Sequence, residues 1–300
     1  MPSTPLISDC KGMAGWIDTV IQGILLGGLY SLYATGLSVI FGIMRLVNLA
    51  HGDLIVLPAF LMLALVGIGV PIVLALAIVV PLMFVGGYAL QTVMLNRVLG
   101  RNILPPLLIT FGLSIIVQNG LLEGFSADTR FLNVGPQQSA SLPLGGGIAI
   151  GVMPLICLGA AIAVIVLLNA VFYRTAVGRA FRATSDDVQI ARLMGINDRS
   201  IYALTMGIAL AVCAVAGFFL GARSNFDPSI GPARLLYAFE AVIIGGVGSL
   251  WGTLAGGIVV GLAQTIGAHL DPEWQILAGH VAFLVVLVIR PRGLFPRAVD

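Results

Sequence analysis

Nine long apolar runs account for most of this 300-residue chain. Hydrophobic residues make up 59% of the sequence and charged residues only 9%, whereas a typical soluble domain has about 25% charged residues. One soluble core cannot hide so much apolar surface, so most of it is expected to face lipid. The runs cover residues 16–43, 54–69, 71–95, 103–122, 148–172, 201–222, 236–249, 252–269 and 274–290.

The length of these runs predicts the fold class. A membrane-spanning helix needs about 20 mostly apolar residues, and nothing in the runs shows the alternation of barrel strands. We therefore expect an all-α polytopic membrane protein with about eight transmembrane helices, including broken or re-entrant segments, and no strands. Residues 1–300 are expected to form a single transmembrane domain.

The arginines predict how the chain is oriented, because short basic loops stay in the cytoplasm. The loops near 45–52, 96–102 and 173–200, together with the C-terminus, are expected inside. The loops 123–147 and 223–235 and the N-terminus are expected outside. This leaves four of the 15 Lys and Arg residues as exceptions, namely Lys11, Arg130, Arg223 and Arg234.

Polar or glycine-rich sequence interrupts the apolar pattern at residues 45–53 and 245–252. The run 236–249 has 14 residues and rises about 21 Å as a helix, which is short of a hydrocarbon core of about 30 Å. We predict a half-helix that turns back with 252–269, giving seven full spans and a short pair. Interrupted apolar segments of this kind often mark a transport path.

Two ionisable residues, Glu240 and His280, fall clearly inside apolar runs. Ionisable groups within a span are candidates for function. For Glu240, a role in a path or gate and a structural hydrogen bond between helices both remain open. For His280 the structural interpretation is favoured.

The motifs of several enzyme classes are missing. The only lysine, Lys11, is not in a P-loop, and neither a nucleophile elbow nor an HExxH motif occurs. Asp186 and Asp187 form a single acidic pair, the three cysteines fit packing positions, and the net charge is only +2. We expect no enzyme activity, no catalytic residue, no cofactor or metal site and no nucleic-acid partner.

The hydrophilic segment 173–200 predicts a short helix on the inner side. Thr184 is a candidate N-cap, Asp186 and Asp187 suit the first turn, and Gly195 is a candidate terminator. An apolar side is formed by Ile190, Ala191, Leu193 and Met194. From the pattern alone, this helix either lies on the membrane surface or docks into a cytoplasmic partner.

Four segments in sequence order resemble LivH-type permeases, the membrane subunits of branched-chain amino acid ABC importers. Residues 178–196 resemble the coupling loop of that family, and 36–53 its first signature. Residues 238–249 and 290–295 resemble its late signature and its C-terminal ending. The matching coupling positions are Gly178, Arg179, Ala183, Ala191, Gly195 and Ile196, and Asp187 lies among them.

The resemblance implies a multi-pass permease of the bacterial inner membrane that moves amino acids inward by alternating access. Implied partners are two cytoplasmic ABC ATPases, a second homologous permease, an extracytoplasmic solute-binding protein and membrane lipid. Residues around 183–195 would be the coupling helix. We also hypothesise a translocation path along the two interruptions, where the contributing residues are Asn48, His51, Asp53, Glu240, Gly245 and Gly246, with free backbone groups at the two glycines.

Two other function classes remain open at this stage. An ion-coupled secondary transporter of a small polar solute would need carboxylates or a cation site within the membrane, and Glu240 is the main candidate. A membrane assembly or scaffold subunit would not require the coupling helix. The sequence does not distinguish branched-chain amino acids from other amino acids, amides or urea as substrates.

Overall fold

The computed structural model describes residues 5–99, 104–145 and 148–295, which form eleven α-helices and one β-hairpin. The helices are α1 (Pro5–Met44), α2 (His51–Gly67), α3 (Ile72–Val93), α4 (Leu104–Phe125), α5 (Val152–Arg174), α6 (Ala176–Asp186), α7 (Val188–Leu193), α8 (Asp198–Arg223), α9 (Gly231–Gly245), α10 (Leu250–Leu270) and α11 (Trp274–Ile289). The strands are β1 (Ser141–Gly145) and β2 (Ile148–Gly151), and short 3₁₀ helices cover Leu95–Arg97 and Pro136–Gln138.

Six helices in the described part of the chain are long and apolar enough to cross a membrane, and they lie in α1, α3, α4, α5, α8 and α10. The apolar helices α2 and α11 are shorter, with 17 and 16 residues. Large apolar side chains remain exposed on the outside of the bundle, such as Val73 at 77% and Val288 at 83%. Such a surface suits lipid, and the predicted all-α polytopic membrane protein is confirmed.

Helices α1 and α8 form the centre of the bundle. α1 packs closely along α10, where a Cβ added to Gly23 would lie 2.9 Å from Leu262 Cα, and one added to Gly27 would overlap Ile258. Small residues of this kind allow membrane helices to approach until their backbones touch. The close contact brings the polar residues of both helices within hydrogen-bonding reach.

The segment between α1 and α2 turns back into the bundle. Arg45 leaves α1 with a φ of +52°, and both Asn48 and His51 are fully buried. His51 Nδ1 lies 3.8 Å from the sulfur of Cys213, which is about 22 Å along α8 from its start. The expected cytoplasmic loop near 45–52 is therefore wrong for most of its length, because α2 begins deep inside the bundle.

Helices α9 and α10 form a tight antiparallel hairpin. Gly246 and Gly248, with φ values of +101° and +80°, make the turn, and a Cβ on Gly245 would overlap the carbonyl oxygen of Gly252. α9 has 15 residues and is about 22 Å long, so the predicted short helix is confirmed. α10, with 21 residues, is long enough to cross, so the prediction of a short pair is wrong for this helix.

A β-hairpin precedes α5. Strand β1 pairs antiparallel with β2, with Ser141 opposite Gly151 and Leu142 opposite Ile150. The expectation of no strands is therefore wrong, and so is a helix starting at residue 148. Alternating apolar residues in this short stretch favour an extended pair over a helix.

One end of the bundle, here called the arginine-rich end, gathers the ends of α1, α3 and α5, helices α6 and α7, the start of α8 and the α9–α10 turn. Ser185 on α6 donates a hydrogen bond to the Gly42 carbonyl of α1, at 2.6 Å. After α11, Leu294 N donates to the Ile244 carbonyl of α9, at 2.8 Å. The described arginines at this end are Arg45, Arg97, Arg174, Arg179, Arg182, Arg192, Arg199, Arg290 and Arg292.

Candidate functional site

Asn48 and His51 lie together in the interior, where hydrogen bonds within the segment and from other helices satisfy its polar groups. The Asn48 side-chain oxygen accepts a hydrogen bond from Ala50 N at 3.1 Å. His51 Nε2 donates to the carbonyl oxygen of Tyr33 on α1 at 2.8 Å. Leu49 N donates to the Thr110 hydroxyl of α4 at 3.2 Å. These bonds explain how a non-helical segment is tolerated among membrane helices.

Asp53, in the first turn of α2, is 1% exposed. The Ser114 hydroxyl donates to its Oδ2 at 2.5 Å, and Gln118 Nε2 donates to its Oδ1 at 2.9 Å. Both donors belong to α4 and lie one helical turn apart. Asp53 therefore joins α2 to the middle of α4.

The same carboxylate also lies against the beginning of α9. A Cβ added to Gly231, the first residue of α9, would overlap Asp53 Oδ1, and one added to Gly52 would overlap the Gly231 carbonyl oxygen. Each helix N-terminus carries about half a positive charge, so a carboxylate between two of them is electrostatically favourable. We call this meeting of the two short helices α2 and α9, with Asp53 between them, the polar junction.

The polar junction is closed in this structure. Asn48, His51 and Asp53 are each at most 1% exposed. The sequence-based hypothesis placed these three residues on one path, and the structure brings them together at the start of α2. Any solute passing here would require α2 and α9 to separate.

Glu240 lies in a second polar group, about 14 Å along α9 from Gly231. Its Oε1 contacts Nδ1 of His280 on α11, and its Oε2 has no hydrogen-bond partner among the described residues. The His280 ring stacks on Tyr237 with 6.3 Å between ring centroids. We call these residues the glutamate cluster.

The glutamate cluster continues towards α1 and α10. Tyr237 packs against Tyr30 with 5.1 Å between ring centroids. The Tyr30 hydroxyl donates to Gln264 Oε1 at 2.5 Å. Both Tyr30 and Gln264 are buried. Together with these two residues, the glutamate cluster connects the four helices α1, α9, α10 and α11.

Gly245 and Gly246 lie apart from both polar groups, at the arginine-rich end. Phe295 N donates to the Gly245 carbonyl at 3.0 Å, and Ser249 N donates to the Gly246 carbonyl at 3.1 Å. The expectation of free backbone groups at these glycines is therefore wrong for both carbonyls. The segment after α11 packs against both glycines, through Phe295 at Gly245 and Gly293 at Gly246.

Three residues of this region were missed in the sequence, namely Ser114, Gln118 and Gly231. A signal existed for the first two, because Thr110, Ser114 and Gln118 are spaced by four and form a polar stripe on an apolar helix. Gly231 carried no signal of its own, since its role depends on the approach of Asp53.

The segment 173–200 forms two helices where one was predicted. Thr175 caps α6 by accepting a hydrogen bond from Gly178 N at 3.0 Å, and Asp187 caps α7 by accepting from Gln189 N at 2.7 Å. Thr184 lies inside α6, so its predicted role as N-cap is wrong. Asp187 takes that role because its extended backbone interrupts the helix and leaves its carboxylate free to cap.

The second helix, α7, ends just before Gly195, as the sequence predicted. Gly195 has a φ of +82°, a conformation that glycine adopts without strain. Ile196 N donates to the Ala191 carbonyl at 3.0 Å, which closes the helix end. Arg192 binds Asp198 of α8 through two hydrogen bonds of 2.9 and 2.8 Å, which raise the pKa of the Arg192 guanidinium.

The predicted coupling residues divide into buried and exposed positions. Gly178 packs against the end of α5, where a Cβ would overlap the Phe172 carbonyl oxygen. Ala191 is 2% exposed, Ala183 is half-buried, and Arg179 faces solvent. The two buried residues, Gly178 and Ala191, therefore help to fix α6 and α7 to the bundle.

The outward side of α7 is apolar and uncovered. Ile190 is 59% exposed, Leu193 87% and Met194 78%. We call these three side chains the α7 knob. An apolar projection on a rigid, capped support has the form that docks into a groove of another protein.

The sequence comparisons agree with this architecture. The chain matches the family described as branched-chain amino acid transport system / permease component over residues 19–289. It is 29% identical to the high-affinity branched-chain amino acid transport system permease protein BraD of Pseudomonas aeruginosa, and the alignment covers 94% of this chain and 96% of BraD. It is 28% identical to LivH of Escherichia coli K12, again with 94% and 96% coverage.

A shorter similarity connects the chain to a permease named for a different solute. It is 28% identical to the fructose import permease protein FrcC of Rhizobium meliloti, over 65% of this chain and 56% of FrcC. The family match includes the polar junction, the glutamate cluster, α6 and α7, and it runs to the last residue of α11. The resemblance to LivH-type permeases is thus confirmed, and the chain belongs to the family of permease components of branched-chain amino acid transport systems.

Proposed function

We propose that this chain is the membrane-spanning permease subunit of an ATP-binding-cassette importer for branched-chain or related amino acids. BraD and LivH, which it matches along almost their whole length, are named for high-affinity transport of that solute class. Residues 1–300 would act as a single transmembrane permease domain, with a cytoplasmic coupling loop at about 173–200. The chain lacks a P-loop, so ATP hydrolysis would belong to other subunits.

The α7 knob is the observation that carries the proposal. Its three apolar side chains are exposed to solvent. The helix that carries them is held in place, because it is capped at both ends and bound to α8 by the Arg192–Asp198 pair. A soluble partner with a matching groove would bury this surface. Two cytoplasmic ABC ATPases, one for this chain and one for a second homologous permease, would supply such grooves.

The contacts behind the knob offer a route from ATPase to membrane helices. α6 is tied to α1 by the Ser185–Gly42 hydrogen bond and to α5 by the packing of Phe181 on Phe172, with ring centroids 5.3 Å apart. Movement of α6 and α7 would therefore displace α1, α5 and α8 together. Alternating access follows if these helices have two packed arrangements that the ATPases select.

The arginine-rich end supports an orientation. Cytoplasmic loops carry an excess of Lys and Arg, so this end, with α7 and the C-terminus, would face the cytoplasm of a bacterial inner membrane. The opposite end, with the β-hairpin, would meet an extracytoplasmic solute-binding protein.

For the path, we propose that the polar junction opens during transport. Asn48, His51 and Asp53 would then offer polar groups to the solute. Glu240 would lie about 14 Å further on, along α9. The turn at Gly245 and Gly246 would let the α9–α10 hairpin move. Selection among amino acids would rest mainly on the solute-binding protein.

An ion-coupled secondary transporter is the second candidate, and the glutamate cluster is the observation in its favour. A buried carboxylate paired with a histidine inside the membrane is typical of sites that bind or relay protons. This candidate, unlike the first, leaves the α7 knob without a function.

Uptake by proteoliposomes tests the proposal. The purified complex would be reconstituted with its solute-binding protein and radiolabelled leucine outside and ATP at the cytoplasmic face. We expect leucine uptake that requires ATP hydrolysis and that excess isoleucine or valine suppresses while fructose does not. Uptake driven by an ion gradient without ATP would contradict the proposal, and suppression by fructose alone would overturn the solute class.

A further inference from the structure

A cavity of about 430 Å³ lies at the arginine-rich end, where α3 ends and α8 begins. Tyr88 and Thr92 of α3 line one side of it, and Arg97 follows in the adjoining 3₁₀ helix. Arg199 and Ser200, from the first turn of α8, line the other side. We call this cavity the α3–α8 pocket.

The lining of the α3–α8 pocket contains two arginines and no carboxylate. Neither the Arg97 nor the Arg199 guanidinium forms an ion pair or a side-chain hydrogen bond within the described residues, and no carboxylate lines the cavity. Arg192, at the same end of the bundle, is by contrast paired with Asp198. Asp198 is close enough to interact with the charge of Arg199, but its carboxylate is bound by Arg192, so the pocket lining itself is positively charged.

The frame that holds the arginines is fixed. Asn96 Nδ2 donates to the Arg199 carbonyl at 3.2 Å, which ties the 3₁₀ helix to α8. Gln91, fully buried on α3, donates to the Asn96 side-chain oxygen at 3.0 Å. These bonds hold the two backbones together, so the Arg97 and Arg199 side chains start from neighbouring, fixed backbone positions.

An exposed apolar stripe leads from the pocket along α3. Ile78 is 41% exposed, Leu82 52% and Val85 62%, and their spacing of four and three residues places them on one helix face. Thr92 continues the same face into the pocket. The molecule thus presents a basic pocket at a helix end and an apolar stripe beyond it, whose far end at Ile78 lies about 20 Å along α3 from Thr92.

We propose that the α3–α8 pocket binds the phosphate of an anionic phospholipid whose acyl chain lies along the α3 stripe. Arginine donates paired hydrogen bonds to phosphate oxygens, and the Thr92, Ser200 and Tyr88 hydroxyls surround the same space. Basic pockets between membrane helices bind anionic headgroups for this reason. The proposed orientation assigns the lipid to the inner leaflet.

The chemistry of the pocket favours a lipid over the transported solute. A zwitterionic amino acid brings an ammonium group, and the residues lining the pocket provide no carboxylate to pair with it. A free phosphate would use the arginines but leave the apolar stripe uncovered. The combination of two cations and an adjoining apolar stripe matches an anionic lipid.

Lipid titration of the purified, delipidated complex followed by native mass spectrometry tests this site. We expect dioleoyl phosphatidylglycerol to bind at least tenfold more tightly than dioleoyl phosphatidylcholine. The Arg97→Gln/Arg199→Gln variant should bind phosphatidylglycerol roughly thirty-fold more weakly than the wild type, because each arginine at the membrane surface strengthens binding roughly five-fold. Arg290→Gln/Arg292→Gln removes the same charge at the same end and should bind like the wild type.

Three results would overturn the proposal. One is equal loss of phosphatidylglycerol in both double variants, which would indicate bulk attraction without a site. Another is displacement of the lipid by inorganic phosphate at similar concentrations, which would indicate an anion site without lipid selectivity. If the double variant does not fold, Arg97→Gln alone should weaken binding roughly five-fold, and unchanged binding there would equally refute the site.

Discussion

The carboxylate of Asp53 lies against Gly231, and no side chain fits between them. A Cβ on Gly231 would overlap Asp53 Oδ1 and would come within 3.0 Å of Asp53 Cα. The two residues begin separate short helices, which meet inside the bundle. Their contact therefore controls how closely α2 and α9 approach.

Replacing Gly231 with Ala is expected to force α2 and α9 apart. The added methyl meets a buried carboxylate and backbone that cannot move away freely, so the free energy of unfolding should fall by about 1–3 kcal/mol. Uptake should fall below the wild-type rate in the same variant. Thermal unfolding in mild detergent and uptake per molecule check both effects.

Gly112→Ala is the matched control. Gly112 lies within α4, and an added Cβ meets nothing within 4 Å. Stability and uptake should be unchanged or slightly improved, because alanine favours helices. Similar losses in both variants would show that the contact at Gly231 is not tight in the membrane.

Replacing Asp53 with Asn should weaken the polar junction. The carboxylate accepts hydrogen bonds on both oxygens, from Ser114 and Gln118, whereas an amide has only one accepting oxygen. One buried donor would lose its partner, which costs about 1–3 kcal/mol, and the negative charge between two helix N-termini would be lost as well. Unfolding measurements that match the wild type would refute this account of Asp53.

Glu240→Gln distinguishes a structural role from ion coupling. A glutamine side-chain oxygen can still accept a hydrogen bond from His280, so an ATP-driven permease should keep at least half of its uptake. Glu240→Ala removes the acceptor and should destabilise the protein by about 1–3 kcal/mol. Loss of uptake in a well-folded Glu240→Gln variant would instead favour the ion-coupled transporter.

Gly195→Val should disrupt the turn that ends α7. Its φ of +82° is unfavourable for a β-branched residue, so the closing Ile196–Ala191 hydrogen bond should be lost. We expect normal membrane insertion with greatly reduced uptake. Gly195→Asn is the control, because asparagine tolerates this conformation, and it should retain most uptake. Full uptake by the valine variant would exclude the helix end from the mechanism.

Hydropathy and glycine positions predicted much of the fold. Long apolar runs indicated the helices directly, and the glycines at 245–252 indicated the turn between α9 and α10. The re-entry of residues 45–50 was not predictable in the same way. Arg45 and neighbouring polar residues look like a surface loop until Thr110 of α4 and Tyr33 of α1 provide partners, and those contacts depend on the tertiary fold.

The candidate sites show the same division. Gly195 and the apolar side of α7 were predictable because local turn chemistry and helix periodicity govern both. Asp187, and not the predicted Thr184, caps the helix that carries the α7 knob. The chain forms two helices here, which local propensity did not indicate. Glu240 stood out in the sequence, but its contact with His280, 40 residues away, required the packing of α9 on α11.

Co-purification of the ATPases with the Leu193→Asp/Met194→Asp variant tests the central claim most directly. These side chains are 87% and 78% exposed, so the variant should fold and insert normally. We predict that wild-type protein and a Gln189→Glu control retain two P-loop ATPase subunits in mild detergent, and that the double variant loses them at least tenfold. Equal recovery of the ATPases with the double variant, or their absence from the wild type, would contradict the assignment of α7 as the coupling helix of an ATP-driven importer.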